Sequence, residues 1–239
     1  MPRISRIYGL PRDLQEEGVL RYGFHGLSYE YIMEELAGTA GEEVARRRTI
    51  IAHLGHGASM AAVHNRKSVD TTMGFSPAGG LIMSTRSGDL DPGVVLYLLK
   101  RKGMTSDQIN DVVNRKSGLL GISGLSDDMK ELLKNEREEM PAGEAVDLFC
   151  YQAKKFIGSL ASALGGLDTL IFTGGIGERA SAVRMRICQG LEFIGVEIDP
   201  ELNESNAPVI SGRSGSVAVR VMKTNEELMI ARHTHKVLF

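Results

Sequence analysis

Apolar and polar residues follow one another along the chain in blocks that predict strands and helices in alternation. Two short apolar runs, TIIAHLG (49–55) and SMAAVHN (59–65), are joined by glycine-containing residues and predict a β-hairpin. A third run, DTLIFT (168–173), predicts another strand. Strands in this arrangement, with helical segments between them, indicate an α/β domain, and no repeat of fixed period is visible.

Helical segments are predicted from apolar spacing and from the residues that begin and end helices. Asp91 is placed to cap a helix with Pro92 at its first position, running to about residue 102. Thr105 or Ser106 opens the next helix, and Ser126 opens a charged one. The other predicted helices cover residues 28–36, 143–164, 179–191 and 225–235. GGIGE, between the strand at 168–173 and the helix at 179–191, is predicted to be a loop.

Composition is ordinary for a globular protein, and its only use here is to exclude a class of function. The 239 residues are 42% hydrophobic and 24% charged, and the formal net charge of −2 comes from 28 basic and 30 acidic residues. These charges are mixed along the chain, so no basic field typical of a sequence-independent nucleic-acid binder exists. The short basic runs at 46–48 and 100–102 are better explained as solvated faces. No nucleic-acid partner is expected.

Cysteine usage and the amino terminus predict a cytoplasmic protein. Cys150 and Cys188 lie in helix-like apolar stretches and form neither a disulfide framework nor a zinc pattern. Both are interpreted as small buried hydrophobes in a reducing compartment. The first residues, MPRISRIYGLPRD, have no signal-peptide core, and the longest apolar run, 94–99, is too short to span a bilayer. No membrane partner is expected.

Candidate chemistry is concentrated in three glycine-rich segments. These are AHLGHGAS (52–59), STRSGDLDP (84–92) and FTGGIGER (172–179), and each follows an apolar segment. Glycine lets backbone N–H groups approach a phosphate or nucleotide closely, although any single glycine loop is more often a turn. The sequence contains no GxxxxGK[ST], HExxH or GxSxG motif.

The third segment also permits a dinucleotide-binding site. Gly175, Gly177 and Ala180 fit G-x-G-x-x-A between a strand and a helix, and Glu197 lies about 20 residues beyond Gly177, where a ribose-binding acid would lie. This interpretation does not explain Gly174 and assigns no function to the other two glycine-rich segments. It remains an alternative.

Several long motifs together resemble one family. RYGFHGLSYEYI, HLGHGASMAAVHNRKSVDTTMGFSPAGGLIMSTRSGDLDP, FTGGIGER and TNEELMIAR are similar, in this order, to the acetokinase family. The resemblance implies a ribonuclease H-like domain of the sugar kinase/Hsp70/actin type, with a mixed sheet flanked by helices. It implies phosphoryl transfer between ATP and acetate, or another short carboxylic acid, with Mg²⁺. It also implies a homodimer.

The resemblance assigns catalytic roles to two residues. Arg86 matches an arginine that stabilises the transferred phosphoryl group, whose charge a guanidinium can meet with several N–H donors. His25 matches a histidine that donates a hydrogen bond to the same group. Taken without the resemblance, Arg86 could be a surface ion pair and His25 a turn histidine. Asp89 and Asp91 are expected to order the loop and cap the helix.

The resemblance also assigns the nucleotide and metal sites. The segment along the ATP phosphates comprises His53, Leu54, Gly55, His56 and Gly57. Residues approaching the adenosine are Asp128, Met129 and Lys130, and the adenine and ribose pocket is formed by Gly174, Gly175, Ile176, Gly177, Glu178 and Arg179. Glu226 matches a Mg²⁺ ligand, and its plainer interpretation is an acid in the first turn of a helix.

This chain departs from the family pattern at several of these positions. His56 and Arg179 each stand where the pattern has asparagine, Lys130 where it has arginine, and Tyr29 where it has histidine near His25. The ring of His56 is bulkier than an asparagine side chain and would lie beside the expected ATP phosphates. These departures affect the expected nucleotide affinity.

The domain expectation divides the chain at residue 224. Residues 1–223 form a nucleotide-binding domain, and residues 224–239 form a helix that would pack on a first domain resembling the family's amino-terminal part. Met1-Pro2 resembles an internal segment of the family, and the first domain is therefore expected to be missing. That domain of the family contains a phosphate loop, a Mg²⁺-ligating asparagine, an acetate-contacting arginine and a catalytic aspartate. The chain is then an enzyme completed by a separate chain or upstream segment and inactive alone, or a non-catalytic nucleotide-binding or dimerising remnant.

Overall fold

A mixed five-stranded sheet forms the centre of the molecule in the computed structural model, which describes residues 1–238. The strands lie in the order β3-β2-β1-β4-β5. Their bounds are β1 Thr49–Leu54, β2 Ala58–His64, β3 Lys67–Thr71, β4 Thr169–Thr173 and β5 Ala218–Val221. The first three form an antiparallel meander, whereas β4 pairs parallel with β1 and β5 pairs parallel with β4. The predicted hairpin and the α/β class are confirmed.

Helices cover both faces of this sheet. Their bounds are α1 Arg12–Glu16, α2 Gly26–Ala40, α3 Glu42–Arg46, α4 Pro92–Lys100, α5 Ser106–Arg115, α6 Gly118–Ser123, α7 Met129–Asn135, α8 Met140–Leu164, α9 Gly174–Arg179, α10 Ser181–Cys188, α11 Pro200–Glu204 and α12 Glu226–Leu238. Short 3₁₀ turns lie at Arg3–Ser5 and Glu192–Ile194.

Alternation along β1 divides the core into two layers. Ile50 packs with Phe149 and Ile157 of α8 in a large cluster on one face. Ile51 packs with Ile32 of α2 in a smaller cluster on the other face, as expected when successive side chains point to opposite sides of a strand. All residues of β4 are buried, which is typical of a central parallel strand covered on both faces.

The parallel register of β1 and β4 positions the segments that follow them. Ile51 lies opposite Ile171, and His53 lies opposite Thr173, so the two strands end level with each other. Residues 55–57 and α9 therefore leave the same edge of the sheet side by side. Two of the three glycine-rich segments meet at this carboxyl edge.

Predicted capping residues act as expected at two helices. The Asp91 carboxylate accepts a hydrogen bond from the Gly93 amide at 2.6 Å, with Pro92 as the first residue of α4. Thr105 and Gln108 form a reciprocal capping box at the start of α5. The prediction that Ser126 opens a helix is wrong, because α7 begins at Met129 with Asp128 as its cap.

The segment GGIGE, predicted to be a loop, is helical. It forms most of α9, and the next helix, α10, begins at Ser181 instead of residue 179 and ends at Cys188 instead of residue 191. Glu178 stabilises the first turn of α9 by accepting a hydrogen bond from the Gly174 amide at 3.2 Å. Helix α2 also differs from its prediction, since it starts at Gly26 and continues to Ala40.

The carboxyl-terminal helix α12 lies against α2. Met229 is buried, Arg232 forms an ion pair with Glu34, and His233 lies 2.8 Å from Glu30. On its other faces Leu228 and Ile230 are exposed. Packing of this helix on a further domain stays a prediction, and residue 239 of the predicted segment lies outside the described residues.

Both cysteines are buried and free, as predicted. Cys150 belongs to the large core cluster together with Cys188. Within residues 1–238 no helix has both the length and the apolar character needed to cross a bilayer.

Candidate functional site

Two glycine-rich segments touch at the carboxyl edge of the sheet. Gly174 has a φ of +77°, and a Cβ added there would lie 2.7 Å from the carbonyl oxygen of Leu54. A Cβ added to Gly55 would lie 3.7 Å from the Gly175 amide nitrogen. Only glycine fits at position 174, because the backbone is left-handed and the segment after β1 lies against it. This contact accounts for the glycine that a dinucleotide motif leaves unexplained.

The alternative dinucleotide site is not formed. Glu197, its proposed ribose-binding acid, accepts a hydrogen bond from Ser214 and borders a cleft with Arg48 and Gly166. Arg48 directly precedes β1, so this cleft lies at the amino edge of the sheet, opposite the edge that carries α9. The acid and the glycines therefore cannot contact one nucleotide in the manner that the motif requires.

His25 and His53 form a stacked pair near the ends of α2 and β1. Their ring centroids lie 4.3 Å apart and their planes are 18° from parallel. His25 stands just before α2 in a left-handed conformation, with φ 61° and ψ 24°. Its Nδ1 lies 2.8 Å from Ser59 Oγ, and His53 Nδ1 lies 2.8 Å from Ser28 Oγ.

His25 and Arg86 border the same space beside Gly57, which has no side chain to fill it. A Cβ added to Gly57 would lie 3.2 Å from His25 Nε2 and 3.7 Å from Arg86 Nη1. The absent side chain therefore leaves room that both nitrogen atoms border. The hydrogen bonds of the Arg86 guanidinium within residues 1–238 go to Pro77 O and the Met83 sulfur, and none goes to a carboxylate.

Burial keeps the histidine pair uncharged at neutral pH. It lowers the pKa of His25 below the usual value, and the neighbouring Arg86 charge lowers it further. Burial lowers the pKa of His53 to about 4, with His25 as the second cause. Both rings are therefore neutral near pH 7, so each has one N–H donor and one nitrogen acceptor.

The segment that carries Arg86 is held rigidly. Met83 O accepts a hydrogen bond from the Leu119 amide at 2.9 Å, and Gly118, with a φ of +65°, has its Cα so close that an added Cβ would lie 2.1 Å from the same oxygen. Asp89 accepts a hydrogen bond from the Gly80 amide at 2.7 Å. The predicted loop-ordering role of Asp89 is confirmed, and Arg86 stands on a fixed backbone.

The remaining residues of the predicted phosphate and adenosine segments are divided between surface and core. His56 is exposed, with its Nδ1 3.8 Å from Asp127, which brings the 53–57 segment beside the start of α7. Asp128 and Lys130 are exposed there, whereas the Met129 side chain lies in the core. Any contact between Met129 and a ligand would therefore involve its backbone.

Helix α9 presents only part of its predicted pocket residues. Gly175 and Arg179 are exposed, and an added Cβ at Gly175 meets nothing within 4 Å. Leu54 is fully buried, Ile176 packs against the core, and Gly177 packs closely on β4. Leu54, Ile176 and Gly177 therefore support the backbone, and contacts with a ligand would come from exposed residues such as Gly175 and Arg179.

Glu226 begins α12 and is half-buried close to the Tyr29 hydroxyl, whose pKa is raised mainly by burial and also by the Glu226 charge. In the part of the chain that the structure describes, no group of three or more His, Cys, Asp or Glu residues could hold a metal ion. Mg²⁺ commonly takes only one or two protein carboxylates and completes its shell with water and phosphate oxygens. A single carboxylate at Glu226 fits that mode of binding.

Four hydroxyl residues of the site were not predicted from the sequence. Ser28 and Ser59 contact the histidines, and Thr224 Oγ1 donates a hydrogen bond to Ser28 Oγ at 2.8 Å. Thr173, at the end of β4, has a buried Oγ1 for which residues 1–238 provide no hydrogen-bond partner. A single serine or threonine has no sequence signature, although Ser59 does lie within the glycine-rich segment 52–59.

Comparisons with known proteins match nearly the whole chain. A family model described as the Acetokinase family matches residues 1–232. Acetate kinases of Rhodopseudomonas palustris (strain TIE-1) and Clostridium botulinum (strain Alaska E43 / Type E3) are 52% and 47% identical to it. Each alignment covers 98% of this chain, and 58% and 60% of the relatives' lengths.

Solved structures agree with the sequence relatives. The crystal structure of Porphyromonas gingivalis acetate kinase matches with a TM-score of 0.94 at 40% identity, covering 100% of this chain and 61% of that one. A propionate kinase from Francisella tularensis subsp. tularensis SCHU S4 matches with a TM-score of 0.92 at 37% identity, covering 97% and 60%. The expected fold is confirmed, and this chain spans about three-fifths of the length of these relatives. The chain belongs to the acetokinase family.

Proposed function

We propose that this chain binds ATP or ADP and supplies the phosphate-handling residues of an acetate kinase-type phosphotransferase. The reaction moves a phosphoryl group between ATP and acetate or another short carboxylic acid. One observation carries the proposal: His25 Nε2 and Arg86 Nη1 border the same space over Gly57. A cationic fork and a neutral N–H donor at one point suit a group whose negative charge is spread over several oxygens.

Each residue of that space has a separate task in the proposal. Arg86 donates hydrogen bonds to the oxygens of the transferred phosphoryl group and offsets their charge. His25, as the neutral ring with its proton on Nε2, donates one hydrogen bond to the same group. Gly57 provides room for the group, because a Cβ there would lie only 3.2 Å from His25 Nε2 and would take up part of this space.

The nucleotide lies along the carboxyl edge of the sheet in this proposal. Its phosphates follow the backbone from His53 to Gly57, and its adenosine lies between the start of α7, at Asp128 and Lys130, and the exposed side of α9 at Gly175 and Arg179. Open space beside Gly175 supports a ligand at this edge. Mg²⁺ bound with the nucleotide would neutralise phosphate charge, and Glu226 would hold it through its carboxylate.

We further propose that positioning of acetate needs residues outside this chain, because the relatives it matches are longer. Those residues would come from a separate chain or from a longer form of this one. The location proposed for the protein is cytoplasmic, which its two free, buried cysteines support.

A homodimer is part of the same proposal and is supported by α4. No residue of this helix is buried, although five of its nine residues are large, apolar and exposed: Val94, Val95, Leu96, Tyr97 and Leu99. An exposed apolar face of this kind favours a protein partner, and a second copy can cover it through the same face on both chains.

Calorimetric titration of the 239-residue chain tests the nucleotide proposal. We expect ATP and ADP to bind weakly, and Arg86→Ala to weaken ATP binding by about tenfold, as loss of a charged hydrogen bond predicts. Arg115→Ala, at an exposed arginine of α5, is the matched control and should bind like the wild type. Absence of any binding heat would favour a dimerising remnant without nucleotide function.

A further inference from the structure

Each histidine of the stacked pair lies at the end of a chain of two hydroxyl groups. One chain runs from the Tyr29 hydroxyl through Ser59 Oγ to His25 Nδ1, and the other runs from Thr224 through Ser28 to His53 Nδ1. Ser28 and Ser59 are fully buried. Neither serine has access to water, so its proton and its lone pairs are used within these chains.

The hydrogen bonds give the direction of donation in the Thr224 chain, and the same direction in the Tyr29 chain is part of the proposal. Thr224 Oγ1 donates to Ser28 Oγ, which leaves the Ser28 proton for His53 Nδ1. In the other chain Thr71 donates its proton to the Met60 carbonyl at 2.8 Å, and either the Tyr29 or the Ser59 hydroxyl can be the donor of the bond between them. Donation from Tyr29 to Ser59 leaves the Ser59 proton for His25 Nδ1, in the same way as in the Thr224 chain.

Both ring nitrogens that face the hydroxyl chains are then acceptors. A neutral imidazole that accepts at Nδ1 has its proton on Nε2. His25 Nε2 lies beside the backbone of Gly57, and His53 Nε2 would be 3.8 Å from a Cβ added to Gly55. The two N–H groups therefore point to successive glycines of the proposed phosphate segment.

We propose that Tyr29 and Thr224 are positioning residues that hold the stacked histidines as neutral Nε2–H tautomers before any substrate binds. Tyr29 acts on His25 through Ser59, and Thr224 acts on His53 through Ser28. The consequence for phosphoryl transfer rests on the function proposed above, whereas the tautomers themselves do not. Two fixed donors at the phosphate segment cost no rearrangement when the nucleotide binds.

Charged groups around the pair are compatible with this state. His25 faces Arg86 from the 84–92 segment, His53 from β1 and Tyr29 from its own helix, with Glu226 of α12 beyond Tyr29. Arg86 disfavours a second positive charge, and stacking disfavours protonation of either ring while the other is charged. Burial raises the pKa of Tyr29, so its hydroxyl remains a donor.

Nitrogen-15 NMR of histidines in the full chain tests this assignment, because Nδ1 and Nε2 shifts distinguish the two tautomers. At pH 7, without nucleotide, both His25 and His53 should be Nε2–H tautomers. Tyr29→Phe should change the tautomer ratio of His25 by about tenfold, the effect of weakening one hydrogen bond, and leave His53 unchanged. Thr224→Val should change the tautomer ratio of His53 by a similar factor and leave His25 unchanged.

Tyr31→Phe, on the same helix as Tyr29, is the matched control and should change neither histidine. An Nδ1–H tautomer at His25 in the wild type would overturn the proposal, and this measurement needs no variant. An unchanged His25 spectrum in both Tyr29→Phe and Ser59→Ala would overturn it as well. Nucleotide binding is measured separately by calorimetry. If no nucleotide binds, the proposed function fails, but the tautomer result can still be interpreted.

Discussion

His25 and His53 lie face to face, 4.3 Å between ring centroids, although 28 positions separate them in the sequence and one precedes a helix while the other ends a strand. Each ring is hydrogen-bonded through Nδ1 to a buried serine. The remaining nitrogen of each ring is directed to the glycine-rich segment after β1. The stacked pair therefore connects helix α2, the sheet and the proposed phosphate segment.

The first prediction concerns the pH dependence of stability. The pKa of His53 is lowered to about 4 in the folded protein, against 6.5 in the unfolded chain. Between these values the unfolded state binds more protons, so the free energy of unfolding should fall as pH decreases from about 6.5 to about 4. The loss attributable to His53 is of the order of 2–3 kcal/mol.

Urea unfolding at pH 7, 5.5 and 4 measures this effect. His53→Gln should have a flatter pH dependence than the wild type. His64→Gln, at an exposed histidine that ends β2, should keep the wild-type dependence. Equal slopes for the wild type and His53→Gln would contradict the prediction.

A second prediction compares two adjacent glycines of α9. Gly174→Ala would place a Cβ 2.7 Å from the Leu54 carbonyl oxygen on a left-handed backbone, and should lower the free energy of unfolding by about 2–4 kcal/mol. Gly175→Ala meets no atom within 4 Å and should be neutral or slightly stabilising. Denaturant titration of the two variants checks the difference, and similar stabilities would show that the loop contact is less rigid than described.

The sequence was sufficient for elements with strong local signals. The hairpin of β1 and β2, the caps at Asp91 and Thr105, and the long helix α8 follow from apolar runs and capping residues within a few positions. The apolar pattern does not predict β3, because Val69 is the only apolar residue among its five, as suits an edge strand. The sequence predicts a loop at α9, because its three glycines are weak helix formers.

The candidate site depends on contacts that no local pattern contains. Ser28 and Thr224 are hydrogen-bonded across 196 positions, and their meeting depends on α12 lying against α2. His25 and Arg86 were identified from a family resemblance, and their common space at Gly57 became visible only with the fold. Arg86, taken alone in the sequence, is better explained as a surface ion pair.

A third prediction is that the 239-residue chain does not form acetyl phosphate at a detectable rate. If acetate is positioned by residues outside this chain, the reaction loses an orientation contribution of about 7–11 kcal/mol. Trapping of acetyl phosphate as a hydroxamate, with ATP, Mg²⁺ and acetate, measures turnover. Product that disappears in Arg86→Ala would show that the residues present here are sufficient.

The fourth prediction concerns the carboxyl-terminal helix. α12 has one fully buried apolar side chain, Met229, and its ion pairs with α2 involve half-exposed or exposed residues, whereas every residue of β4 is buried. Its amides should exchange hydrogen faster than those of β4, because fewer contacts oppose local opening. Exchange measured by mass spectrometry tests this, and equal protection of both segments would contradict it.

The last prediction concerns the exposed face of α4. Five of its large apolar residues are between 36 and 51% exposed, and a second copy of the chain would remove them from water. Light scattering should therefore give a mass near twice 26.0 kDa for the wild type. Leu96→Glu places a charge at the centre of this face and should convert the protein to a monomer, since an unpaired charge buried between copies is costly. Phe193→Glu, at a residue 79% exposed near the amino edge of the sheet, is the matched control and should remain dimeric. A monomeric wild type, or dissociation by both substitutions alike, would exclude α4 as the dimer contact.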